Sequence, residues 1–332
     1  MADAAAFWIT GPTEGSLREE RLPPCGHDDL LVQTLRSAIS KGTELLVYTN
    51  RVPSGQYQLM ACPHMDGAFP FPVKYGYCNV GRVERGPRSL AGRRVFSLFP
   101  HQSRFVLPAA DAVPIPDDVP TERAVMAASM ETAINATWDS GVKVGDRVAV
   151  VGLGVIGGLV AYLVNAIPGT EVTAFDVNPD RRSLAGRLGL GFAHQPPAGA
   201  LQPAESGEVA AYDLVFHASA SGAGLQTALA LCGVETRIIE LSWYGDREIS
   251  LGLGGVFHSR RLQLVSSQVG RIPAAQQSRW THHRRLALAL ALLCDPLLDC
   301  FLSGQSPFAQ LPETMARLVA DPDRTLCHAI VY

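Results

Sequence analysis

The sequence predicts an α/β protein with a β-rich first third and a doubly wound parallel-sheet domain behind it. Three observations predict this. The first third carries short apolar runs separated by Gly and Pro clusters. From about residue 147 onward, strand-like and helix-like runs alternate. Between the two regimes, an uncharged strand-like run at 148–151 enters a glycine-rich turn and then a helix-like run.

In chain order, 30–32 and 80–83 read as strands, and the proline-containing segments 52–55 and 69–72 read as loops. Residues 113–120 read as a linker into a helix that begins near Thr121. Strand 148–151, helix 157–166, strand 171–175 and helix 179–188 follow, with further strands at 214–218, 237–241 and 262–266. Near the C-terminus, the run 286–293 alternates Leu and Ala, and its length and alanine content favour a helix near 284–294. A second helix is expected near 312–320 and a closing strand at 327–332. No internal repeat or low-complexity segment is seen.

Composition excludes several function classes. A length of 332 residues suits two domains of roughly 100–200 residues each. Lys plus Arg is 28 and Asp plus Glu is 31, a net charge of −3, which gives no electrostatic reason to bind nucleic acid or an anionic membrane. The seven cysteines are scattered and form no C-x-x-C, so neither a disulfide framework nor a four-cysteine zinc knuckle is expected. Free thiols fit a reducing, cytoplasmic setting. The start, Met1-Ala2-Asp3-Ala4, lacks the basic and apolar regions of a secretory signal. The apolar stretch 148–164 is short for a membrane span and is interrupted by glycines.

Those glycines are the strongest chemical signal. The turn reads Gly152-Leu153-Gly154-Val155-Ile156-Gly157. In this pattern Gly152 permits a tight turn, Gly154 lets backbone approach a pyrophosphate, and Gly157 lets the helix pack close to the strand. The helix N-terminus, with Val155 and Ile156 in its first turn, offers N–H groups and partial positive charge to phosphates. Asp176 ends the next strand, nineteen residues after Gly157, where a carboxylate accepts hydrogen bonds from an adenosine ribose. That carboxylate would repel a 2′-phosphate and so favours NAD, with NADP still possible. Arg181 and Arg182 are nearby and either contact a phosphate or sit solvated in the first turn of a helix.

Three further segments carry a resemblance. They are Ser40-Lys41-Gly42-Thr43-Glu44, the run Tyr75-Gly76-Tyr77-Cys78-Asn79-Val80-Gly81, and Gly145-Asp146-Arg147-Val148 leading into the glycine turn. In this order, with the closing strand Cys327-His328-Ala329-Ile330-Val331-Tyr332, the chain resembles the medium-chain dehydrogenase/reductase superfamily, the zinc alcohol dehydrogenase-like family. The first two segments look like those of a bacterial subgroup of dehydrogenases, with a more distant similarity to bacteriochlorophyllide hydroxyethyl dehydrogenases. The resemblance implies a GroES-like substrate domain at 1–133 and 275–332 and a Rossmann domain at 134–274, with the cofactor in the cleft between them. It also implies a homodimer and a small-molecule substrate.

The departures from the family bear on mechanism. Where zinc members hold catalytic ligands, this chain has Ser40, Tyr77 and, in Met130-Glu131-Thr132, Glu131. Serine and tyrosine are poor zinc ligands. The four-cysteine lobe of structural zinc also has no counterpart, so a zinc-free member is expected. Cys62, His64 and Cys78 leave a rearranged metal site as an alternative, and a non-catalytic nucleotide-binding regulator is another. Without a metal, the charge on a reacting oxygen falls to a hydroxyl, a cation or water. Tyr77 is the first candidate, or else a packing tyrosine. Thr43 is a proton relay or a helix cap, and Glu131 completes the catalytic set. Lys41 either reaches cofactor phosphates or is solvated, and Lys74 either binds a substrate anion or snorkels. Ser219 follows the strand 214–218, where family members pass close to the cofactor.

Overall fold

A computed structural model describes residues 3–195, 211–323 and 325–332. The chain folds into two compact units, Met1–Ala128 with His282–Tyr332, and Ser129–Thr281.

The Ser129–Thr281 unit is built on six parallel strands: β1 (Arg147–Val151), β2 (Glu171–Phe175), β3 (Gly191–Ala193), β4 (Tyr212–His217), β5 (Cys232–Glu240) and β6 (Gln263–Ser266). Their order across the sheet is 3-2-1-4-5-6, the doubly wound arrangement with its switch point between β1 and β4. Three helices cross between strands: α1 (Val155–Asn165), α2 (Arg181–Arg187) and α3 (Gly222–Leu231). The strands are apolar runs because both faces of a parallel sheet are covered. Val148, Ala149 and Val150 are fully buried, and Ala149, Val215 and Ile238 pack against Leu225, Ala228 and Leu229 of α3. Register lines up the C-terminal ends: Val151 pairs with Phe175 on one side and with His217 on the other, and His217 pairs with Glu240.

The other unit is antiparallel apart from one strand pair. In its seven-stranded sheet the long strand Asp29–Ile39 lies between Cys327–Val331 and Asn79–Arg85, and it also pairs with Arg104–Pro108. A four-stranded sheet is led by the hairpin Ala4–Gly11 and Glu14–Glu20. Alternation sends Leu30 and Val32 inward against Val83, Val95, Phe105 and Leu107. The closing strand sets Ile330 opposite Ser37 and His328 opposite Ile39, which seats the C-terminal residues inside this unit.

Several elements differ from the sequence reading. The expected linker at 113–120 begins as strand, because Ala112–Pro114 pairs with Arg94–Ser97. The helix starting at Thr121 is two pieces, Thr121–Ala124 and Ala127–Ser140. Helix α3 escaped the sequence reading because Gly222 and Gly224 open it. It is capped by Ser221, whose hydroxyl accepts the Gly224 N–H, and is held by its buried Leu and Ala face.

Candidate active site and nucleotide cradle

Strand β1 ends at Gly152, whose φ of +97° is a left-handed conformation suited to glycine. A side chain there would meet Ser219 N at 2.7 Å, so the turn lies directly on the exit of β4. A Cβ on Gly157 would overlap the Gly152 carbonyl oxygen, which is why α1 can sit so close to the strand. Gly154 is different: a Cβ there would meet nothing within 4 Å. This open face is the approach a diphosphate requires. Beside it, the first turn of α1 presents Val155 and Ile156, both partly exposed, and its first N–H groups have no carbonyl within the helix.

Asp176 stands at the end of β2. Its Oδ2 accepts the Leu153 N–H at 2.6 Å and its Oδ1 accepts the Asn178 N–H at 2.8 Å. The carboxylate therefore braces the glycine turn, and each oxygen keeps a second lone pair for a ribose hydroxyl. Arg181 opens α2 five positions on, and Arg182 lies over the Phe192 ring at 4.9 Å.

At the other side of β1 the structure holds a cluster that the sequence reading missed. His217 Nδ1 lies 2.8 Å from Glu240 Oε2, and His217 Nε2 lies 2.7 Å from Ser219 Oγ. Ser242 N donates to Glu240 Oε1 at 2.7 Å, and the Tyr244 hydroxyl donates to Oε2 at 3.1 Å. Burial alone would raise the Glu240 carboxyl, but hydrogen bonds and charge from His217, with the Ser242 hydroxyl and N–H, bring it below its ordinary 4.5. The detectable signal was two polar residues, His217 and Glu240, each closing an apolar strand.

In the first unit, the Tyr77 hydroxyl donates to Ser40 Oγ at 2.5 Å and also contacts the Thr43 side chain. Tyr77 and Thr43 are thus brought together, while Glu131, buried on Ala127–Ser140, belongs to the other unit. Burial, then the charges of Cys78 and Glu44, push the Tyr77 phenol well above 10, so it stays protonated. Thr43 makes no side-chain cap for the helix Glu44–Tyr48. Glu44 does the comparable work: its Oε1 accepts the Ser40 N–H at 2.8 Å, while Oε2 lies 2.9 Å from His101 Nε2. His101 Nδ1 meets Ser37 Oγ at 2.6 Å, and Ser37 meets the Tyr332 hydroxyl at 3.1 Å.

Two lysines depart from the sequence reading. Lys41 Nζ is held by the carbonyls of Pro322, at 2.5 Å, and Thr325. It is neither merely solvated nor directed to a phosphate in this arrangement. Lys74 Nζ is taken by Glu20 and Gln102, each at 2.8 Å, rather than offered to a substrate anion.

Serine and tyrosine hydroxyls are poor ligands for zinc. Ser40 and Tyr77 bond to each other as neutral hydroxyls. Burial pushes the Cys62 thiol up to about 12 and Cys78 well above its ordinary value. His64 stacks on Phe99 and faces Asp111 at 3.3 Å. Among the described residues, no group of three His, Cys, Asp or Glu side chains is placed to hold a metal ion. Among the same residues, no helix is long and apolar enough to cross a membrane.

The whole architecture recurs in solved structures. L-idonate 5-dehydrogenase from Escherichia coli superposes with a TM-score of 0.79 at 17% identity, covering 99% of this chain and 98% of that one. The chain therefore shares the fold of this dehydrogenase. Two other members of that fold were solved with nucleotide. A candidate zinc-binding dehydrogenase from Sinorhizobium meliloti 1021 is bound to NADP, and an alcohol dehydrogenase from Escherichia coli CFT073 is complexed with NADH. Each has a TM-score of 0.77 and 18% identity, covering 99% of both chains. In sequence, the chain is 32% identical over 117 residues to L-threonine 3-dehydrogenase of Mesorhizobium japonicum, 35% of this chain and 34% of that protein. It is 26% identical over 206 residues to D-guloside 3-dehydrogenase of Escherichia coli K12, 60% of this chain and 59% of that protein. The matched segments therefore span between about a third and three-fifths of these relatives' lengths. No protein-family model matches the chain.

Proposed function

We propose that this chain is a nicotinamide-dependent oxidoreductase of the medium-chain dehydrogenase/reductase superfamily. It would transfer a hydride between the cofactor and a small alcohol or carbonyl compound, or an activated double bond. The observation that carries the reading is the open face of Gly154 beside the Asp176 brace. Gly152, Gly154, Val155, Ile156 and Gly157 would hold the diphosphate, and Asp176 the adenosine ribose. A carboxylate at that corner favours NAD over NADP. Arg181 and Ser219 are assigned to the same cofactor site, and Lys41 only if it leaves its carbonyl partners.

The bound cofactor supplies the hydride acceptor or donor. The chain's own part is to stabilise and protonate the oxygen of the substrate. Tyr77 is assigned that role because its hydroxyl is kept protonated and is therefore a donor rather than a base. Ser40 and Thr43 orient the phenol, and Glu44, fixed by His101, holds the segment that carries them. Zinc-independence is part of the proposal and rests on the hydroxyl chemistry at Ser40 and Tyr77. Glu131 remains the third assigned residue.

The same reading places the enzyme in the cytoplasm, supported by seven unpaired cysteines. It also makes the enzyme a homodimer, supported by the exposed Leu264 on the edge strand β6. Its partners would be small molecules, with neither nucleic acid nor membrane involved. Purified protein titrated with NAD, NADH, NADP and NADPH, then assayed with NAD and a panel of alcohols and with NADH and a panel of aldehydes, ketones and enones, tests the function. Binding without turnover of any alcohol, aldehyde, ketone or enone would leave the non-catalytic alternative. Stoichiometric zinc that is needed for turnover would overturn the metal-free chemistry.

A further inference from the structure

Apart from Ser219, the cluster at the ends of β4 and β5 has no part in the function above. Its position gives it one. Register puts Phe175, Val151, His217 and Glu240 on one line across β2, β1, β4 and β5. Neighbouring strands lie about 4.8 Å apart, so that line is roughly 14 Å long. A dinucleotide with its adenosine ribose at Asp176 and its diphosphate over Gly154 would extend its second half over β4 and β5. That half carries the nicotinamide ring, which is positively charged when oxidised and neutral when reduced.

We propose that the Glu240 carboxylate, held in place by His217, sets the preference of this protein for the oxidised over the reduced dinucleotide. The inference rests on the nucleotide-binding reading given above. The Glu240 carboxyl lies below its ordinary 4.5 and so carries a negative charge at neutral pH. That charge attracts the oxidised ring and repels the more anionic reduced dinucleotide.

The surroundings leave the carboxylate in control. His217 is fully buried, and Glu240 is partly buried, with 12% of its side chain exposed. On the β1 side His217 meets apolar Val151. From the loop after β5 it faces Ser242 and Tyr244, whose phenol is raised by burial and by Glu240 and so stays neutral. Arg247 is the nearby cation. It stacks on Tyr244 at 5.7 Å and donates to the Ala220 carbonyl at 2.9 Å. From α3 the contact is Gly224, where a Cβ would overlap Ser219 Oγ, so the glycine allows the Ser219–His217 bond.

The test compares dissociation constants of the full-length chain for NAD and NADH in the wild type, Glu240→Gln and His217→Gln. In Glu240→Gln the NAD constant is expected to rise relative to the NADH constant by about three-fold or more. In His217→Gln, which keeps the carboxylate, the ratio should stay within about two-fold of the wild type. A structural role alone would weaken both ligands together and leave the ratio unmoved. A ratio equal in the wild type and Glu240→Gln overturns the inference while the nucleotide reading stands. If Glu240→Gln does not fold, Glu240→Ser takes its place, and an unmoved ratio there overturns the inference alone. A wild type that binds neither nucleotide overturns both.

Discussion

Asp176 Oδ2 accepts the Leu153 N–H at 2.6 Å, which ties the end of β2 to the glycine turn that follows β1. The carboxylate is thereby fixed where an adenosine ribose would lie. Replacing it by serine removes the charge that would repel a 2′-phosphate. Asp176→Ser should improve NADP affinity relative to NAD by about ten-fold or more. Equal discrimination in the variant and the wild type, measured by titration with both nucleotides, would refute the assigned role.

Two glycines of one motif should behave differently. At Gly154 a methyl group has room in the folded chain. Gly154→Ala should therefore keep its melting temperature and lose about ten-fold or more in NADH affinity, because the methyl occupies the diphosphate approach. At Gly157 the methyl would overlap the Gly152 carbonyl oxygen. Gly157→Ala should lose about 1–3 kcal/mol of stability in denaturant titration. The reverse pattern would mean that the cradle is misassigned.

Tyr77→Phe keeps the ring and removes the donor. Turnover should fall by about 100-fold or more. The NADH dissociation constant should stay within about two-fold. A variant that turns over at the wild-type rate would make Tyr77 a packing residue.

Acid should destabilise the first unit through His328. Its Nε2 meets Ser306 Oγ at 2.9 Å, and Arg317 donates to the same hydroxyl at 3.1 Å. Burial, then the charges of Arg317 and Lys41, hold the imidazole below its ordinary 6.5. As pH falls through 6.5 the unfolded chain binds the proton first, so stability declines. His328→Gln should flatten this part of the melting-temperature profile between about pH 7 and 5. Parallel profiles for the variant and the wild type would contradict it.

The cradle was legible in the sequence because each requirement is local: a turn, an open approach, a close helix and an acid at the end of the next strand. Tyr77 and Thr43 were singled out through family resemblance, and their contact was not legible in the sequence. Other features were hidden because they depend on distant chain segments. His217 and Glu240 are 23 residues apart and meet only because β4 and β5 are neighbours in register. Lys74 finds Glu20 across 54 positions, and Lys41 finds Thr325 across 284. Residues that look available in one dimension are already partnered in three. Helix α3 was hidden for a different reason, since its opening glycines argue against helix until the packing of Leu225, Ala228 and Leu229 is known.

Calorimetric titration of the purified chain with NADH tests the central claim most directly. The account predicts saturable binding at about one site per chain, with a dissociation constant below about 1 mM, and its loss in Gly154→Ala. Absence of binding by both NADH and NADPH at that concentration would contradict it.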